Sequence, residues 1–479
     1  MMETMIKQNG LSFNDLEKEI YRNVCELGRN TTAEVLEQYD SYLKENRDKK
    51  AYRDKGYRRT TIKTLYGEVT YRRTVYETKD ESGIKRHVYL LDETLSLENV
   101  GLISENYAAL LVSGVTELSY RECAEKVTAA TGQSISAMGV WNVIQKLGEK
   151  VSQEEKDLVK AHKAGRVRGE KEAPVLFEEA DGVWLDLQGK DRKSRKNGAA
   201  EMKVAIAYDG WKEHGKGRYD LDGKVVAAGF EEASAFHKAM EATIAREYDL
   251  EKTDLRLLNG DGAQWIKAVP DASAVFQLDP YHRNKAIQEK INDKRARKDI
   301  YEFLEDGRVD ELLEYLSIYK DSITEDKWIK EAGELLEYFK TNREGLLPYQ
   351  KQDLDIPESP EGLCYRNMGT MENHVSSIIA HRMKNRHCAW SIKGGNHLAK
   401  ILAKKHMGRL YEVTDQLKVP LFEKEKVESI LEEITGPMSA NESAERIGTG
   451  YEYPMKGHMA YLDSAVRGDD CGFRELAGY

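Results

Sequence analysis

The sequence predicts a mixed α/β fold of the α+β type, with a sheet that carries helices rather than a helical bundle. The main observation is the order of apolar runs from residue 174 to 278, which reads as three strands, a helix, a strand, a helix and a strand. A second observation is the N-terminal third, where apolar residues first recur at helical spacing and then alternate. The 479 residues allow roughly two to four domains at ~150 residues each.

The first fifty residues are predicted to be helical. Apolar residues recur at three- and four-residue steps and should form the buried face of one helix ending near Gly28. These residues are Phe13, Leu16, Ile20, Val24 and Leu27. Thr31 or Thr32 can then cap a second helix.

Residues 51–100 are predicted to form a small, basic β-meander. Alternating Thr, Tyr and Val residues indicate strands at 60–65, 69–76 and 88–91. Its arginines are candidates for contact with DNA phosphates, although charges that protect edge strands from aggregation would give the same pattern. The candidates are Arg58, Arg59, Arg72 and Arg73.

Residues 101–165 are predicted to contain a helix-turn-helix. Ser119 and Glu122 form a capping-box pattern for a helix that ends at Gly132, and a second helix follows Ser134. The second helix of such a motif can enter the major groove of DNA. Core packing and DNA contact by the segment from Gln133 to Lys146 are equally compatible with the pattern.

Composition restricts the possible partners. No apolar run approaches the ~20 residues of a membrane helix, and the five cysteines include no Cys-x-x-Cys pair, so we expect a soluble, cytoplasmic protein without a disulfide framework or a cysteine zinc site. The net charge is −10, yet the segment 374–409 contains no Asp or Glu. Its Arg382, Lys384 and Arg386 therefore predict either a phosphate-binding surface or a solvated helix face.

Two aspartates and a glutamate are candidates for catalysis. Asp181 interrupts an apolar strand, which is costly for an ionised carboxylate unless a cation neutralises it. Asp261 lies between two glycines at the end of the next buried run, and Glu372 lies in the first turn of a predicted helix, where the helix dipole alone would also favour it. Three such carboxylates suit Mg²⁺ and phosphodiester chemistry with two ions. Rival acids lie nearby: Glu178, Glu179, Asp186 and Asp279.

Several motifs in a fixed order resemble the ISLre-type family of bacterial insertion-sequence transposases, which is related to the mutator-like transposases. They are Glu179-Ala180-Asp181-Gly182, Gly260-Asp261-Gly262-Ala263-Gln264-Trp265-Ile266, Leu278-Asp279-Pro280-Tyr281-His282, Glu372-Asn373-His374-Val375, Arg382-Met383-Lys384-Asn385-Arg386 and Trp390-Ser391. The resemblance extends from about Tyr57 to His406, and the combined order is far more specific than any single motif.

The resemblance implies an RNase H-like catalytic domain at 166–284 and 366–410, interrupted by an all-helical insertion at 285–365 and followed by a C-terminal helix and polar tail at 411–479. It implies a DDE triad of Asp181, Asp261 and Glu372, with His282 as an accessory catalytic residue. Two Mg²⁺ or Mn²⁺ ions would serve the cutting and joining of DNA at element ends. A nucleoid-associated homo-oligomer is expected, because two ends must be joined.

Two alternatives to a transposase use the same features, and a third is a multidomain α/β protein in which these acids are incidental. A domesticated DNA-binding protein would keep the helix-turn-helix and the basic surfaces without cutting. A nuclease on the same fold would hydrolyse DNA without strand transfer. The intact acids favour a catalytic protein over the first alternative, and only the reaction products distinguish the second.

Overall fold

The N-terminal helix is longer than the sequence predicts. A computed structural model describes residues 12–80, 83–95, 101–269, 271, 273–415 and 417. In it, α1 (Phe13–Asn46) runs without interruption through Gly28, so the predicted break is wrong. A side chain at Gly28 would lie 3.2 Å from the ring of Tyr66, so this glycine serves close packing. The apolar stripe predicted to be buried, from Phe13 to Leu27, is exposed instead.

A three-stranded antiparallel meander is present, and its first two strands are longer than predicted; the third strand, predicted at 88–91, lies at Lys85–Val88, because a helix begins at Leu90. An antiparallel sheet of three strands is followed by a short helix, with these bounds: β1 (Arg53–Thr64), β2 (Gly67–Lys79), β3 (Lys85–Val88) and α2 (Leu90–Thr94). Asp40 attaches α1 to this sheet. Its buried carboxylate accepts hydrogen bonds from the backbone N–H of Thr74 at 3.0 Å and from the Thr74 hydroxyl at 2.6 Å.

Three helices follow the meander: α3 (Glu105–Glu117), α4 (Tyr120–Thr131) and α5 (Ala137–Lys163). The capping box of Ser119 and Glu122 is confirmed, and α4 ends at Gly132 with a left-handed φ of 67°. The buried side of α5, from Val140 to Val151, belongs to the same apolar core as the main sheet. These helices therefore pack as part of the main core.

The strand and helix order predicted for residues 174–278 is confirmed, and the protein is mixed α/β. The elements are β4 (Val175–Asp186), α6 (Gly189–Lys193), β5 (Ala199–Tyr208), β6 (Gly210–Glu213), β7 (Tyr219–Asp222), β8 (Val225–Gly229), α7 (Ala233–Glu247), β9 (Leu255–Gly260), α8 (Gln264–Lys267) and β10 (Val275–Leu278). The main sheet has the order β10-β9-β4-β5-β8, and β6 pairs with β7 in a separate hairpin.

Strand direction changes across β4. The strand β5 is antiparallel to its two neighbours, β4 and β8, whereas β4, β9 and β10 run parallel. One face of this sheet packs on α7 and α8 and the other on α5 and the C-terminal helices. Both faces are thus covered, as parallel strands require.

Residues 280–341 form four helices, whereas residues 342–365, predicted to belong to the all-helical insertion, contain only two short 3₁₀ turns as helical structure. The four helices are α9 (Pro280–Lys290), α10 (Lys294–Glu305), α11 (Val309–Ser322) and α12 (Asp326–Thr341). These helices have an apolar cluster of their own, which includes Ile300, Leu316 and Phe339 and reaches the sheet through Leu278. The remaining short 3₁₀ turns are Leu250–Lys252, Arg343–Gly345 and Tyr349–Lys351.

The C-terminal described elements return to the sheet. They are α13 (Met371–Val375), a π-helical turn (Ser376–Ala380), α14 (His381–Met383), α15 (Ile392–His406) and α16 (Glu412–Asp415). Such π-helical turns are frequent at functional sites. Most of the predicted C-terminal helix and tail, residues 418–479, lies outside the described residues. Across the described chain, no helix combines the length and apolar character needed to cross a membrane.

Candidate metal and catalytic site

Three parallel strands carry an aspartate at the same edge of the sheet. Glu179 on β4 pairs in register with Asn259 on β9, which pairs with Gln277 on β10. Two residues further along the chain come Asp181, Asp261 and Asp279 respectively. Because side chains alternate along a strand, Asp181 lies on the same face of β4 as Glu179; Asp261 and Asp279 directly follow β9 and β10, and Asp279 accepts a hydrogen bond from Asn259 at 2.7 Å. The carboxyl ends of parallel strands are a common location of ligand sites.

One of these aspartates lies close to two ligand-forming side chains from helices. The carboxylates of Asp181 and Glu372 and the imidazole of His282 each offer a ligand atom, and these atoms lie within 4.8 Å of one another. Asp181 is buried, His282 is half-buried and Glu372 is exposed. Folding therefore unites residues that are far apart in the sequence into a site that remains open to solvent.

Asp181 is held by its own backbone and by charge. Its Oδ1 accepts a hydrogen bond from the N–H of Gly182 at 2.7 Å, while Oδ2 lies 3.6 Å from Nε2 of His282. The Asp181 carboxylate raises the pKa of His282, burial opposes this rise, and the charges of Asp279 and Asp261 add to it. The site thus has a strongly negative potential that favours a cation.

His282 is fixed by the start of α9. Asp279 caps this helix, and its Oδ1 accepts hydrogen bonds from the N–H groups of Tyr281 at 2.9 Å and His282 at 3.2 Å. Pro280 occupies the first turn, where its missing N–H costs nothing. The capping aspartate, counted among the rival acids, therefore orients the histidine.

Asp261 lies beside the group of three rather than within it. Its Oδ1 accepts a hydrogen bond from the N–H of Ala263 at 2.8 Å in a tight turn, in which Gly262 adopts a φ of 87°. The hydroxyl of Tyr338 donates to its carbonyl oxygen at 2.7 Å. The predicted triad is thus brought together in part: Asp181 and Glu372 are close, His282 joins them, and Asp261 occupies the neighbouring strand end.

The donor set of this group fits a divalent cation. Two carboxylates supply oxygen ligands and two negative charges, and a neutral imidazole supplies nitrogen. Oxygen ligands alone would suit Mg²⁺, whereas a mixed oxygen and nitrogen set also suits Mn²⁺ and other transition ions. A half-exposed arrangement leaves positions for water or substrate.

A family model covers nearly all of the described chain. The model of UPF0236, an uncharacterised protein family, matches residues 6–418. The chain belongs to the UPF0236 family. The match includes the meander, the helices before the sheet, and every residue of the candidate site.

Curated UPF0236 relatives come from Caldanaerobacter subterraneus subsp. tengcongensis. One is 27% identical over 425 residues, which cover 86% of this chain and 82% of the relative. A second is 27% identical over 443 residues, covering 86% of each chain. The name of the first joins eleven locus designations, and that of the second joins four.

The other rival acids of this UPF0236 chain have structural partners. Glu178 lies on the opposite face of β4 and contacts Arg256, whose Nε is 2.7 Å from its Oε1. Glu179 is fully buried and accepts hydrogen bonds from several elements. Asp186 is exposed near the end of β4. The polar row beneath the site, formed by Glu179, Asn259 and Gln277, escaped the sequence analysis; its signal was a polar residue two positions before each strand-end aspartate.

The basic residues predicted to contact DNA divide into exposed and buried sets. The exposed set consists of Arg58, Arg59, Arg72, Lys146, Lys384 and Arg386. Arg72 is exposed but forms an ion pair with Glu37 at 3.1 Å.

Two members of the predicted DNA-contacting set, Gln133 and Arg382, are buried, and Arg73 is partly buried, which corrects their assignment to an exposed surface. Arg382 is 2% exposed, and its Nε donates to the carbonyl of Val115 at 2.7 Å. Arg73 pairs with Asp92 beneath the ring of Tyr89. Gln133 is buried at the turn between α4 and α5.

Proposed function

We propose that this chain is a DDE-type transposase that cuts and joins DNA at insertion-sequence ends with divalent metal ions. The observation that carries the proposal is the convergence of Asp181, His282 and Glu372 within 4.8 Å, with Asp261 on the adjacent strand end. Carboxylates gathered from two neighbouring strands and a helix could hold divalent ions on the attacking and leaving oxygens of a phosphodiester, which is the chemistry that the proposal needs.

The sheet topology supports an RNase H-like catalytic domain. Three antiparallel strands are extended by two strands that run parallel to the first, with β4 at the centre. In the sequence, the helices α10 to α12 lie between α9, which carries His282, and α13, which carries Glu372. They have an apolar cluster of their own. This arrangement fits an all-helical insertion in that domain.

The residues of the site have distinct roles in the proposed reaction. Asp181 and Glu372 bind the ions, and His282 either completes this ligand set or orients Asp181. Asp261 supplies the carboxylate of the adjacent strand. Bound ions would activate the attacking oxygen and stabilise the leaving oxygen of the phosphodiester. The exposed Arg58, Arg59, Lys146, Lys384 and Arg386 are available to the DNA backbone.

The names of the relatives add independent support. Eleven locus designations joined in one name indicate one protein encoded at many places in a genome. A gene carried by a mobile element accumulates in this way. A single-copy nuclease gene or a domesticated regulatory gene would not be expected at many places in one genome.

The direct test is an assay of purified protein with labelled DNA that carries the flanking element's ends. We expect cleaved and joined products with Mn²⁺ or Mg²⁺ and none with a chelator. Cleavage without joining would identify a nuclease on the same fold. Metal-independent binding without cleavage of verified ends would identify a domesticated DNA-binding protein.

The ion preference tests the role of His282. If its imidazole is a ligand, wild-type activity should be higher with Mn²⁺ than with Mg²⁺, because Mn²⁺ accepts nitrogen more readily. His282→Asp, which restores an all-oxygen set, should reduce this preference by roughly tenfold, since ligand type controls selectivity. The measurement is the cleavage rate at matched concentrations of each ion. An unchanged Mn²⁺-to-Mg²⁺ ratio would leave His282 an orienting role only.

A further inference from the structure

A buried polar row lies directly beneath the site. Glu179, Asn259 and Gln277 occupy paired positions on β4, β9 and β10, and none is more than 2% exposed. The side-chain amide of Asn259 donates to Oε2 of Glu179 at 2.9 Å, and that of Gln277 donates to the Asn259 oxygen at 3.1 Å. The row therefore links three strands through side chains, on the face that carries Asp181.

Glu179 also binds the segment that leads into the helix of Glu372. Its Oε2 accepts hydrogen bonds from the N–H groups of Gly369 at 3.0 Å and Thr370 at 2.9 Å. Its Oε1 accepts from the hydroxyl of Thr370 at 2.7 Å and from that of Tyr208 at 2.6 Å. With the bond from Asn259, five donors converge on one carboxylate. Thr370 is the N-cap residue of α13, but its hydroxyl donates to Glu179 instead of capping the helix.

Asn259 extends the same network to the histidine. Its amide nitrogen also donates to Oδ2 of Asp279 at 2.7 Å. The other oxygen of Asp279 accepts the N–H groups of Tyr281 and His282. A side chain at Gly369 would lie 3.6 Å from Asp279, so the two helix starts also pack against each other. One connected set of hydrogen bonds thus reaches the backbones that carry His282 and Glu372.

Stability alone gives a weak reason for such a network. Burying a carboxylate is costly, and well-packed apolar residues often replace buried charged groups with no loss of stability. An apolar residue at position 179 could hold the strands together. It could not fix the two amide groups before α13, because only an acceptor can bind them.

We infer that Glu179 and Asn259 are positioning residues, which set the separation of Asp181, His282 and Glu372 that a divalent ion requires. The inference rests on the proposed function, because it assigns the network to that site. Glu179 acts on Glu372 through Gly369 and Thr370, and Asn259 acts on His282 through Asp279. The position of Asp181, two residues beyond Glu179 on β4, follows from the strand itself.

The test is a titration of the full chain with Mn²⁺ alone, followed by electron paramagnetic resonance, beside a thermal unfolding curve for each variant. Glu179→Gln keeps the size of the side chain but cannot accept at both oxygens. We expect its Mn²⁺ affinity to fall about 10- to 100-fold, as for other residues that orient metal ligands. Thr370→Val should lower affinity less, and Thr370→Ser, which keeps the hydroxyl, should restore it.

Glu178→Gln is the matched control. This neighbouring carboxylate is also buried but faces Arg256 on the other side of β4. We expect it to lower the unfolding temperature while leaving the Mn²⁺ affinity of the folded protein unchanged. The inference would be overturned if Glu179→Gln bound Mn²⁺ with wild-type affinity and only its unfolding temperature were lower. An equal loss of affinity in Glu178→Gln and Glu179→Gln would also overturn it.

Failure of the proposed function has a different signature. If the wild-type protein binds no Mn²⁺, or if Asp181→Asn does not weaken that binding, the metal site is contradicted and the inference fails with it. Wild-type protein that binds Mn²⁺ and cuts DNA, together with a Glu179→Gln variant that does both equally well, would refute the positioning role alone. If Glu179→Gln does not fold, the Mn²⁺ affinity of Thr370→Val tests the same hydrogen-bond network.

Discussion

Asp181→Asn is expected to reduce metal-dependent DNA cleavage by about 10³-fold or more, equivalent to at least ~4 kcal/mol of transition-state stabilisation. Asp181 is the buried member of the group and lies closest to the centre of the sheet. Its loss removes a charged oxygen ligand, and bound metal ions supply several kcal/mol in phosphodiester reactions. Asp261→Ala should likewise abolish cleavage. Initial cleavage rates on labelled element ends would measure both effects.

DNA binding separates a catalytic defect from a folding defect. Both variants should bind labelled ends nearly as well as the wild type, because the exposed basic residues are untouched. Asp186→Asn is the control, since this exposed aspartate lies on the same strand outside the group of three. Cleavage retained by Asp181→Asn, or lost equally in Asp186→Asn, would contradict the assignment of the site.

Arg256→Met is expected to destabilise the protein by about 3–5 kcal/mol, the usual cost of removing one partner from a buried ion pair. The guanidinium is 7% exposed and binds Glu178 at 2.7 Å and Glu241 at 2.8 Å. Without it, Glu178 remains buried without a compensating charge. Chemical denaturation of the wild type and the variant would measure the difference in free energy.

The loss in Arg256→Met should depend on pH. Burial already raises the pKa of Glu178, and the removal of Arg256 should raise it further. A carboxyl whose folded pKa exceeds its unfolded value binds its proton more tightly in the folded state, so stability falls as the pH rises between those values. The deficit should therefore grow from pH 5 to pH 8. Adding Glu178→Gln should recover part of it, and a deficit independent of pH would argue against this account.

The strands of the main sheet could be predicted because each is a short apolar run bounded by turn residues. Asp181 could be predicted because a charge within such a run requires compensation. The partners of Asp181 could not be derived from spacing, since His282 and Glu372 meet it only through the return of two helices to one face. The role of Glu179 was equally hidden, because its five donors come from three separate segments of the chain.

The predicted DNA surface was partly wrong for a related reason. A run of basic residues in the sequence shows where positive charge is concentrated, but not whether each side chain points to solvent or into the core. Arg382 lies in such a run, yet its guanidinium packs 5.4 Å from the ring centre of Trp390 and 5.7 Å from that of Tyr120. The N-terminal apolar stripe shows the converse: helical spacing predicted the helix correctly, but not whether that face is covered.

The position of α13 after the helices α10 to α12 has a consequence for synthesis of the chain. Asp181, Asp261 and His282 leave the ribosome long before Glu372. The helices α10 to α12, which have an apolar cluster of their own, lie between them in the sequence. The strands are therefore synthesised before the last residue of the proposed site. Domains generally fold as units during synthesis, so the site is completed only when this later segment has been made. A product that terminates between residues 345 and 370 would lack Glu372 and also the C-terminal helices that cover one face of the main sheet, so we expect it not to fold as the complete chain does.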